Sequence, residues 1–281
     1  MTMRSMDFAP FIEQAWADHG DAPEAVAQRL EAFTVHEASQ VAPVVRLAVH
    51  VFAVHLGAVE RGVALLGRLP HDPAVARGIA TLRLVGGADD ALARLGVEDC
   101  IVALSIASSA WIDRGDRAPA IDALRRAMEL AAPGLPDGSP AIRALATGGN
   151  NLSAALEELP GRDDAESRAM VEAAELALRY WQQAGTWLEH ERAEYRLAAS
   201  LLAAGRAGEA LPVAQRCLAV CSAHDAPPFE RFFAHALLAF IGRAVGDAAG
   251  FDADRAAALA CLEQVPPGER HWCERDRARL A

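Results

Sequence analysis

The sequence predicts an all-α protein built as a stack of antiparallel helix pairs. Alanine and leucine dominate a composition that is 52% hydrophobic, and both residues are strong helix formers. Glycines follow apolar segments of helical periodicity, and prolines cluster between such segments, so both mark helix ends. No segment has the alternating pattern and turn chemistry of a β-hairpin. Because the connections are short, successive helices are expected to pack antiparallel.

Helix starts and stops divide the chain into its elements. Asp21 precedes Pro23 and Glu24, and Asp163 stands three residues before Glu166, which predicts capping-box chemistry at both sites. Left-handed C-terminal caps are predicted at Gly20, Gly57, Gly115, Gly205 and Gly246. The predicted helices span 8–19, 22–35, 39–56, 58–68, 72–85, 88–95, 97–114, 117–132, 138–159, 164–184, 187–204, 206–223, 227–245, 249–264 and 267–279.

An internal repeat is the strongest pattern in the sequence. Leu201, Gly205, Ala210 and Cys217 give a bulky residue, a glycine and two small residues at fixed spacing. The glycine ends one helix, and the small residues allow the next helix to approach closely. Equivalent sets are Trp111, Gly115, Ala120 and Ala127, and, for the first part of the pattern, Ala53, Gly57 and Gly62. A non-repetitive bundle of glycine-terminated helices is the alternative, because alanine fills small positions easily.

These segments resemble tetratricopeptide (TPR) repeats. Residues 193–211, AEYRLAASLLAAGRAGEAL, look like one such unit, and residues 106–127 look like another. Residues 150–156, NNLSAAL, resemble the first helix of a longer unit, whose turn glycine is displaced to Gly161. The resemblance implies a right-handed α–α superhelix, a TPR-like solenoid. The predicted organisation is an N-terminal helical pair at 1–38, degenerate repeats at 39–96, TPR-like repeats at 97–264 and a C-terminal capping helix at 265–281, in a single continuous solenoid.

Charge and hydropathy exclude several classes of function. The net charge of −11 comes without a basic stripe, so nucleic acid is not expected as a partner. Residues 1–20 lack the apolar centre of a secretory signal. The longest apolar stretch, 47–59, is broken by His50 and His55 and is too short to cross a bilayer. A cytoplasmic protein with five reduced cysteines and no membrane contact is predicted.

The resemblance implies that the first helix of each pair lines a concave groove where ligands bind. Asn150 and Asn151 interrupt a helical segment although asparagine is a poor helix former, and a carboxamide can both donate to and accept from a peptide backbone. On the following unit, Arg192 and Arg196 suit carboxylates and Tyr195 offers rigid contact area. The candidate groove residues are completed by Ser105, Ser109 and Phe233.

Catalytic and metal chemistry are weaker interpretations. Cys217, Cys221 and His224 share a helix face, and His235 on the next helix could complete a metal site. Cys217, however, occupies a small buried position of the repeat, which favours packing. His50 and His55 are five residues apart and are predicted to point in different directions. With no nucleophile or phosphate-binding motif, no catalytic residue, metal or cofactor is predicted.

The sequence therefore predicts a scaffold or adaptor that binds a protein or peptide segment, including one with an acidic group, in its concave groove. A sensor that responds to a small ligand or peptide is the second hypothesis. A metal-dependent enzyme at the cysteine and histidine cluster is the third. The partner and the oligomeric state do not follow from the sequence.

Overall fold

The computed structural model describes residues 8–88 and 90–281, and within them every regular element is helical. Two compact units are distinguished, Met1–Gly148 and Gly149–Ala281, and their boundary falls inside one helix, α8 (Pro140–Glu158). The earlier helices are α1 (Phe8–Asp18), α2 (Pro23–Ala32), α3 (Ala38–Val49), a π-helix (His50–His55), α4 (Val59–Leu66), α5 (Pro73–Val85), α6 (Val97–Asp113) and α7 (Arg117–Ala131). The later ones are α9 (Asp164–Ala184), α10 (Trp187–Ala203), α11 (Ala207–Ala223), α12 (Pro228–Val245), α13 (Ala248–Gln264), a 3₁₀-helix (Arg270–Cys273) and α14 (Glu274–Arg279).

The first unit has an aliphatic core in which α5 and the π-helix contact each other and each contacts both α3 and α6. Phe52 of the π-helix is fully buried, and Gly62 of α4 is pressed against it so closely that a Cβ atom there would lie 2.9 Å from the Phe52 Cβ. At the surface, Arg61 of α4 forms ion pairs with Glu24 and Glu31, at 2.9 and 3.0 Å. These ion pairs connect α4 to the N-terminal helix pair.

The second unit consists of helices that pack as successive pairs, α10 along α11 and α12 along α13. The small residues of the predicted repeat lie at these contacts, since Ala210 and Cys217 are fully buried. In the first unit, Ala120 and Ala127 are buried in the same way between α6 and α7. The predicted reason for the repeat, close approach of helices at small side chains, is confirmed.

Glycine caps follow the prediction at four of five positions. Gly57, Gly115, Gly205 and Gly246 have φ angles between 59° and 84°, in the left-handed region that terminates helices. Gly20 does not adopt a positive φ, so that predicted cap is wrong. Its helix, α1, ends in a turn at 19–21 instead.

The two predicted capping boxes differ. The Asp163 side chain accepts a hydrogen bond from the Glu166 backbone amide, and the Glu166 side chain accepts one from the Asp163 backbone amide. The capping box on α9 is therefore confirmed. At α2 the N-cap is Ala22 and no side chain caps the helix, because Pro23 occupies the first helical position and supplies the start instead. The capping box predicted at Asp21 is therefore wrong.

Two predicted helices are corrected. Residue 89 of the predicted helix 88–95 lies outside the described residues, and 90–95 form turns with hydrogen bonds such as Ala93 N to Asp90 O. The segment lies between Gly87 and Gly96, and its bonds join residue i to residue i+3, as in turns, instead of i to i+4 as in an α-helix. The predicted helix 267–279 is divided into the 3₁₀-helix and α14, because Cys273 and Leu280 are both anchored in the core of α12 and α13.

Candidate functional site

Four predicted groove residues of the second unit lie on α10 and α12, the first helices of two successive pairs, and are called here the candidate surface: Arg192, Tyr195 and Arg196 of α10 and Phe233 of α12. Arg192 donates through Nη2 to Oε1 of Glu230 on α12 at 2.5 Å. The Arg192 side chain is 56% exposed whereas that of Glu230 is 10% exposed. The guanidinium is thus presented to solvent by a carboxylate that lies beneath it.

Aromatic side chains continue the candidate surface from α10 to α12. The rings of Tyr195 and Phe233 meet edge to face with centroids 6.0 Å apart, and Phe229 meets Phe233 at 5.0 Å. Burial raises the pKa of Tyr195, and the nearby carboxylates of Asp276 and Glu157 add to the effect. The phenol therefore stays neutral, as a contact group or hydrogen-bond donor.

Arg196 pairs with an acid in the other direction along the chain. Its Nη1 donates to Oε2 of Glu157 at the end of α8, at 2.8 Å, and both side chains are about three-quarters buried. α10 is therefore bound by ion pairs to the first helix of the preceding pair through Arg196 and to that of the following pair through Arg192. Arg196 mainly stabilises the contact between α10 and α8, whereas the more exposed Arg192 is better placed to contact a ligand.

The C-terminal segment of the chain lies on the same group of helices. The Cζ atom of Arg279 is 3.9 Å from the centroid of the Phe240 ring, and Arg243 of α12 donates to the Arg279 carbonyl at 3.1 Å. Arg275 reaches Glu158 of α8 at 3.3 Å. Segment 274–281 thus contacts α12, which carries Phe233 of the candidate surface, and α8, which carries the acidic partner of Arg196.

The asparagines predicted for the groove lie on α8. Asn150 is partly buried, and its backbone carbonyl accepts a hydrogen bond from the hydroxyl of Ser153 at 3.0 Å. Asn151 is exposed. The adjacent Gly149 allows close helix contact, because a Cβ atom there would lie 2.5 Å from the carbonyl oxygen of Ala173.

The predicted serines belong to the first unit, on α6. Ser105 is 2% exposed and donates to the Ile101 carbonyl at 2.9 Å within its own helix. Ser109 is partly buried and its hydroxyl donates to the Ser105 carbonyl at 3.3 Å. Both hydroxyls bond along the helix, and Ser105 also packs against Gly148. Ser105 thus lacks the exposure that a groove contact needs.

The cysteine and histidine cluster suggested by the sequence does not assemble. His224 stacks on Trp187 with ring centroids 5.2 Å apart, and His235 faces Asp254 at 2.8 Å. The third hypothesis, a metal-dependent enzyme at these four residues, is therefore wrong in its ligand set. His224 is the C-cap of α11 and His235 lies within α12, and each contacts a different residue instead of the cysteines.

A buried acid takes the place of the histidines beside the two thiols. Cys217 and Cys221 donate to Oε1 of Glu191 at 3.0 and 3.5 Å, and all three residues are buried. The pKa of Glu191 is raised to about 7, chiefly by burial and with a contribution from the Glu230 carboxylate, although the thiol hydrogen bonds oppose the shift. The pKa of Cys217 is also raised, by its contact with Cys221 and by burial. A neutral carboxyl with two neutral thiols is a stable arrangement inside a protein.

Three histidines of the first unit converge, contrary to prediction. His50 and His55 lie at the two ends of the π-helix, with their Nε2 atoms 3.2 Å apart, and His19 lies against both. A π-helix bonds residue i to residue i+5, as Leu56 N does to Val51 O at 3.0 Å, so residues five apart share a face. The prediction that the two side chains diverge assumed α-helical winding and is wrong. Burial lowers the pKa of His50 to about 4, which keeps this imidazole neutral at pH 7.

Sequence inspection missed three residues of interest. Glu230 and Glu157 form ion pairs with Arg192 and Arg196, from which they are 38 and 39 residues away in sequence. Only an alignment of the first helices of successive repeats could indicate this pairing. Trp272 is 66% exposed in the 3₁₀-helix. A tryptophan in a polar C-terminal segment is a sequence signal for a contact site.

One helical stretch among the described residues, Ala38–His55, is long and apolar enough to cross a membrane. It is 56% buried inside the fold. That degree of burial is typical of a core helix, in agreement with its packing around Phe52.

No family model and no curated protein matches the sequence. The fold is similar to solved structures of a kinesin light chain from Podosopora anserina with nearly identical TPR-like repeats. A single-substitution variant aligns with a TM-score of 0.52 and 14% identity over 80% of this chain and 93% of that one. A second structure aligns with a TM-score of 0.50 and 13% identity over 88% and 96%. The predicted all-α, TPR-like superhelical fold is confirmed.

Proposed function

We propose that the chain is a protein-binding scaffold that holds a peptide segment with an acidic group on the candidate surface of its second unit. TPR-like repeat folds are generally scaffolds for protein interaction, because stacked helix pairs expose extended binding surfaces. The observation that carries the proposal is the exposed side chain of Arg192, which pairs with the largely buried Glu230 and lies one helical turn from Tyr195 on α10.

Arg192 retains donors for a ligand. A guanidinium carries five N–H donors, and Glu230 engages only the Nε and Nη2 atoms of Arg192. A peptide carboxylate can therefore bind from the solvent side while Glu230 keeps the fork in place. Charge-assisted bonds of this kind are shorter and stronger than bonds between neutral groups.

The aromatic part of the surface supplies apolar contact area. Tyr195 and Phe233 are each partly buried as residues, and their rings meet edge to face across α10 and α12. Rigid aromatic rings next to an arginine are the residue types that dominate binding energy at protein interfaces. Asn151, exposed on α8, is proposed as an additional contact to the peptide backbone.

Segment 274–281 gives the surface a competitor within the same chain. Arg279 covers Phe240, and Arg275 approaches Glu158, so a ligand that extends along α12 to Phe240 displaces this segment. Such displacement lowers the net affinity, because contacts within the chain are lost as those with the ligand form.

A peptide-display selection on the full chain tests the proposal. Random peptides are selected against the intact protein, and the affinities of the enriched peptides are measured for Arg192→Glu and Arg192→Gln. We expect carboxylate-containing peptides whose affinity falls at least about tenfold in both variants. Arg206→Glu is the matched control, since Arg206 also pairs with a glutamate, Glu209, but is the N-cap of α11, the second helix of its pair.

The selection gives opposite results if the surface is not a binding site. Peptides that bind both Arg192 variants as tightly as the parent, or that lose affinity equally with Arg206→Glu, would show that recognition lies elsewhere. Circular dichroism of each variant confirms that the helical fold is retained, and Arg192→Gln avoids the repulsion that a new glutamate creates with Glu230.

A further inference from the structure

A second site is indicated in the first unit, where three imidazoles converge. The ring centroids of His19, His50 and His55 are 4.9, 4.9 and 5.1 Å apart in pairs, so the rings form a nearly equilateral triangle. One ring nitrogen from each residue lies within 4.8 Å of the other two. The residues come from the turn after α1 and from both ends of the π-helix.

The triangle has the dimensions of a tetrahedral metal site. Zn–N bonds of about 2.0–2.1 Å at tetrahedral angles separate two ligand nitrogens by about 3.3 Å and the ring centres by about 5 Å. The Nε2 atoms of His50 and His55 are 3.2 Å apart. The nitrogens of this pair therefore already have the required separation, and a metal would need only small side-chain rotations.

The orientation of His19 is fixed by the backbone. Its Nδ1 atom lies within hydrogen-bond distance of the Trp16 carbonyl oxygen, which selects the tautomer with the proton on Nδ1. The lone pair is then on Nε2. Metal-binding histidines commonly donate their second nitrogen to a carbonyl in this way, and the bond orients the ring.

The charges around the cluster are mixed. Arg46 lies over the Trp16 ring at 5.2 Å and is close enough to His50 to disfavour added positive charge. The Asp113 carboxylate of α6 favours positive charge near His55. The three imidazoles are partly exposed, so an ion can enter from solvent.

We propose that His19, His50 and His55 bind a divalent zinc-type ion through three imidazole nitrogens. Three protein ligands leave the fourth tetrahedral position to water, which is the arrangement of an open site, whereas structural sites fill all four positions with side chains. The π-helix has a defined role in this arrangement, because it brings residues five apart to the same ion. The buried Glu191, Cys217 and Cys221 group differs, since it is closed to solvent.

Titration of Zn²⁺ into the chelator-treated full chain tests this site. Calorimetry is expected to show one equivalent bound, with the affinity reduced at least about tenfold in each of His19→Ala, His50→Ala and His55→Ala. His71→Ala is the matched control, because His71 is an exposed histidine of the same unit. Co²⁺ in place of Zn²⁺ should give the visible absorption of a tetrahedral site without a thiolate charge-transfer band.

Each result decides the proposal. Parent-like affinity in His19→Ala or His55→Ala, equal loss in His71→Ala, or a thiolate band with Co²⁺ would overturn it. Should His50→Ala disturb the core, His19→Gln gives the decisive measurement, because His19 lies in a turn outside the π-helix. Melting curves without metal establish that each tested variant is folded.

Discussion

Gly149 of α8 faces the backbone of Ala173 on α9 so closely that a Cβ atom at Gly149 would lie 2.5 Å from the Ala173 carbonyl oxygen. This oxygen belongs to the backbone, so it cannot rotate away from an added methyl group as the tip of a long side chain could. We expect Gly149→Ala to lower the free energy of unfolding by about 2–3 kcal/mol, because the two helices must separate to admit the methyl group. Urea denaturation followed by circular dichroism measures the change.

Gly208→Ala is the control for this substitution. Gly208 is also helical, in α11, but nothing lies within 4 Å of the point that a Cβ atom would occupy there. Alanine at this position should leave stability unchanged or raise it by up to about 1 kcal/mol, through helix propensity alone. Equal effects at the two glycines would contradict the close packing described for α8 and α9.

The buried carboxyl of Glu191 predicts a pH dependence of stability. Its pKa is raised by burial from 4.5 to about 7 in the folded state, so between these values the folded chain holds a proton that the unfolded chain has released. Unfolding then becomes more favourable as pH rises. This contribution is fully present below pH 4.5, is lost by about pH 7, and amounts to at most about 3 kcal/mol.

Glu191→Gln isolates this contribution, because the amide keeps an acceptor for the thiols and does not titrate. From pH 5 to pH 7.5, the unfolding free energy of the parent should fall relative to that of Glu191→Gln. Glu209→Gln, at an exposed ion pair, serves as the control. A parent and a Glu191→Gln variant with parallel pH profiles would show that Glu191 is ionised in the fold.

The Asp163 side chain caps α9 and predicts a measurable loss on substitution. Asp163→Ala removes the bond to the Glu166 amide at 2.7 Å and should cost about 1 kcal/mol. Asp116 is also an N-cap aspartate, before α7, but makes no side-chain cap bond. Asp116→Ala is therefore expected to change the unfolding free energy by less than about 0.5 kcal/mol. Thermal melts compare the two, and an equal loss would refute the capping argument.

Leu280 anchors the C-terminal segment. It is 1% exposed, in a cluster with Phe240 and Ala258, and its carbonyl accepts from Nε of Arg255 at 2.6 Å. Leu280→Ala should cost about 2–3 kcal/mol through the cavity it leaves. Leu130→Ala, at a leucine that is 38% exposed, should cost less than about 0.5 kcal/mol. Chemical denaturation distinguishes the two, and a negligible effect at Leu280 would mean that the segment is not anchored.

Local signals in the sequence were sufficient for most of the fold. Left-handed glycines at Gly115 and Gly205 ended helices where the pattern predicted, and alanines at 120 and 210 lie in the helix contacts. The π-helix and the division of 267–279 depend on packing by residues far away in sequence, which overrides local propensity. The turns at 90–95 have a local cause, since they lie between Gly87 and Gly96.

The candidate site was predictable only in part. Helical spacing places Arg192, Tyr195 and Arg196 on one helix, and the structure adds Phe233 through a ring contact. Their acidic partners lie on other helices, so nothing local to α10 indicates them. The histidine cluster was missed for a different reason, since the change from i+4 to i+5 bonding alters which residues share a face.

The two arginines of α10 have a mechanical consequence. They are one helical turn apart, and Arg192 connects to α12 through Glu230 while Arg196 connects to α8 through Glu157. Any stretching of these three helices must lengthen one ion pair or both. The array should therefore yield more easily under force at high ionic strength, when counterions screen the more exposed pair first.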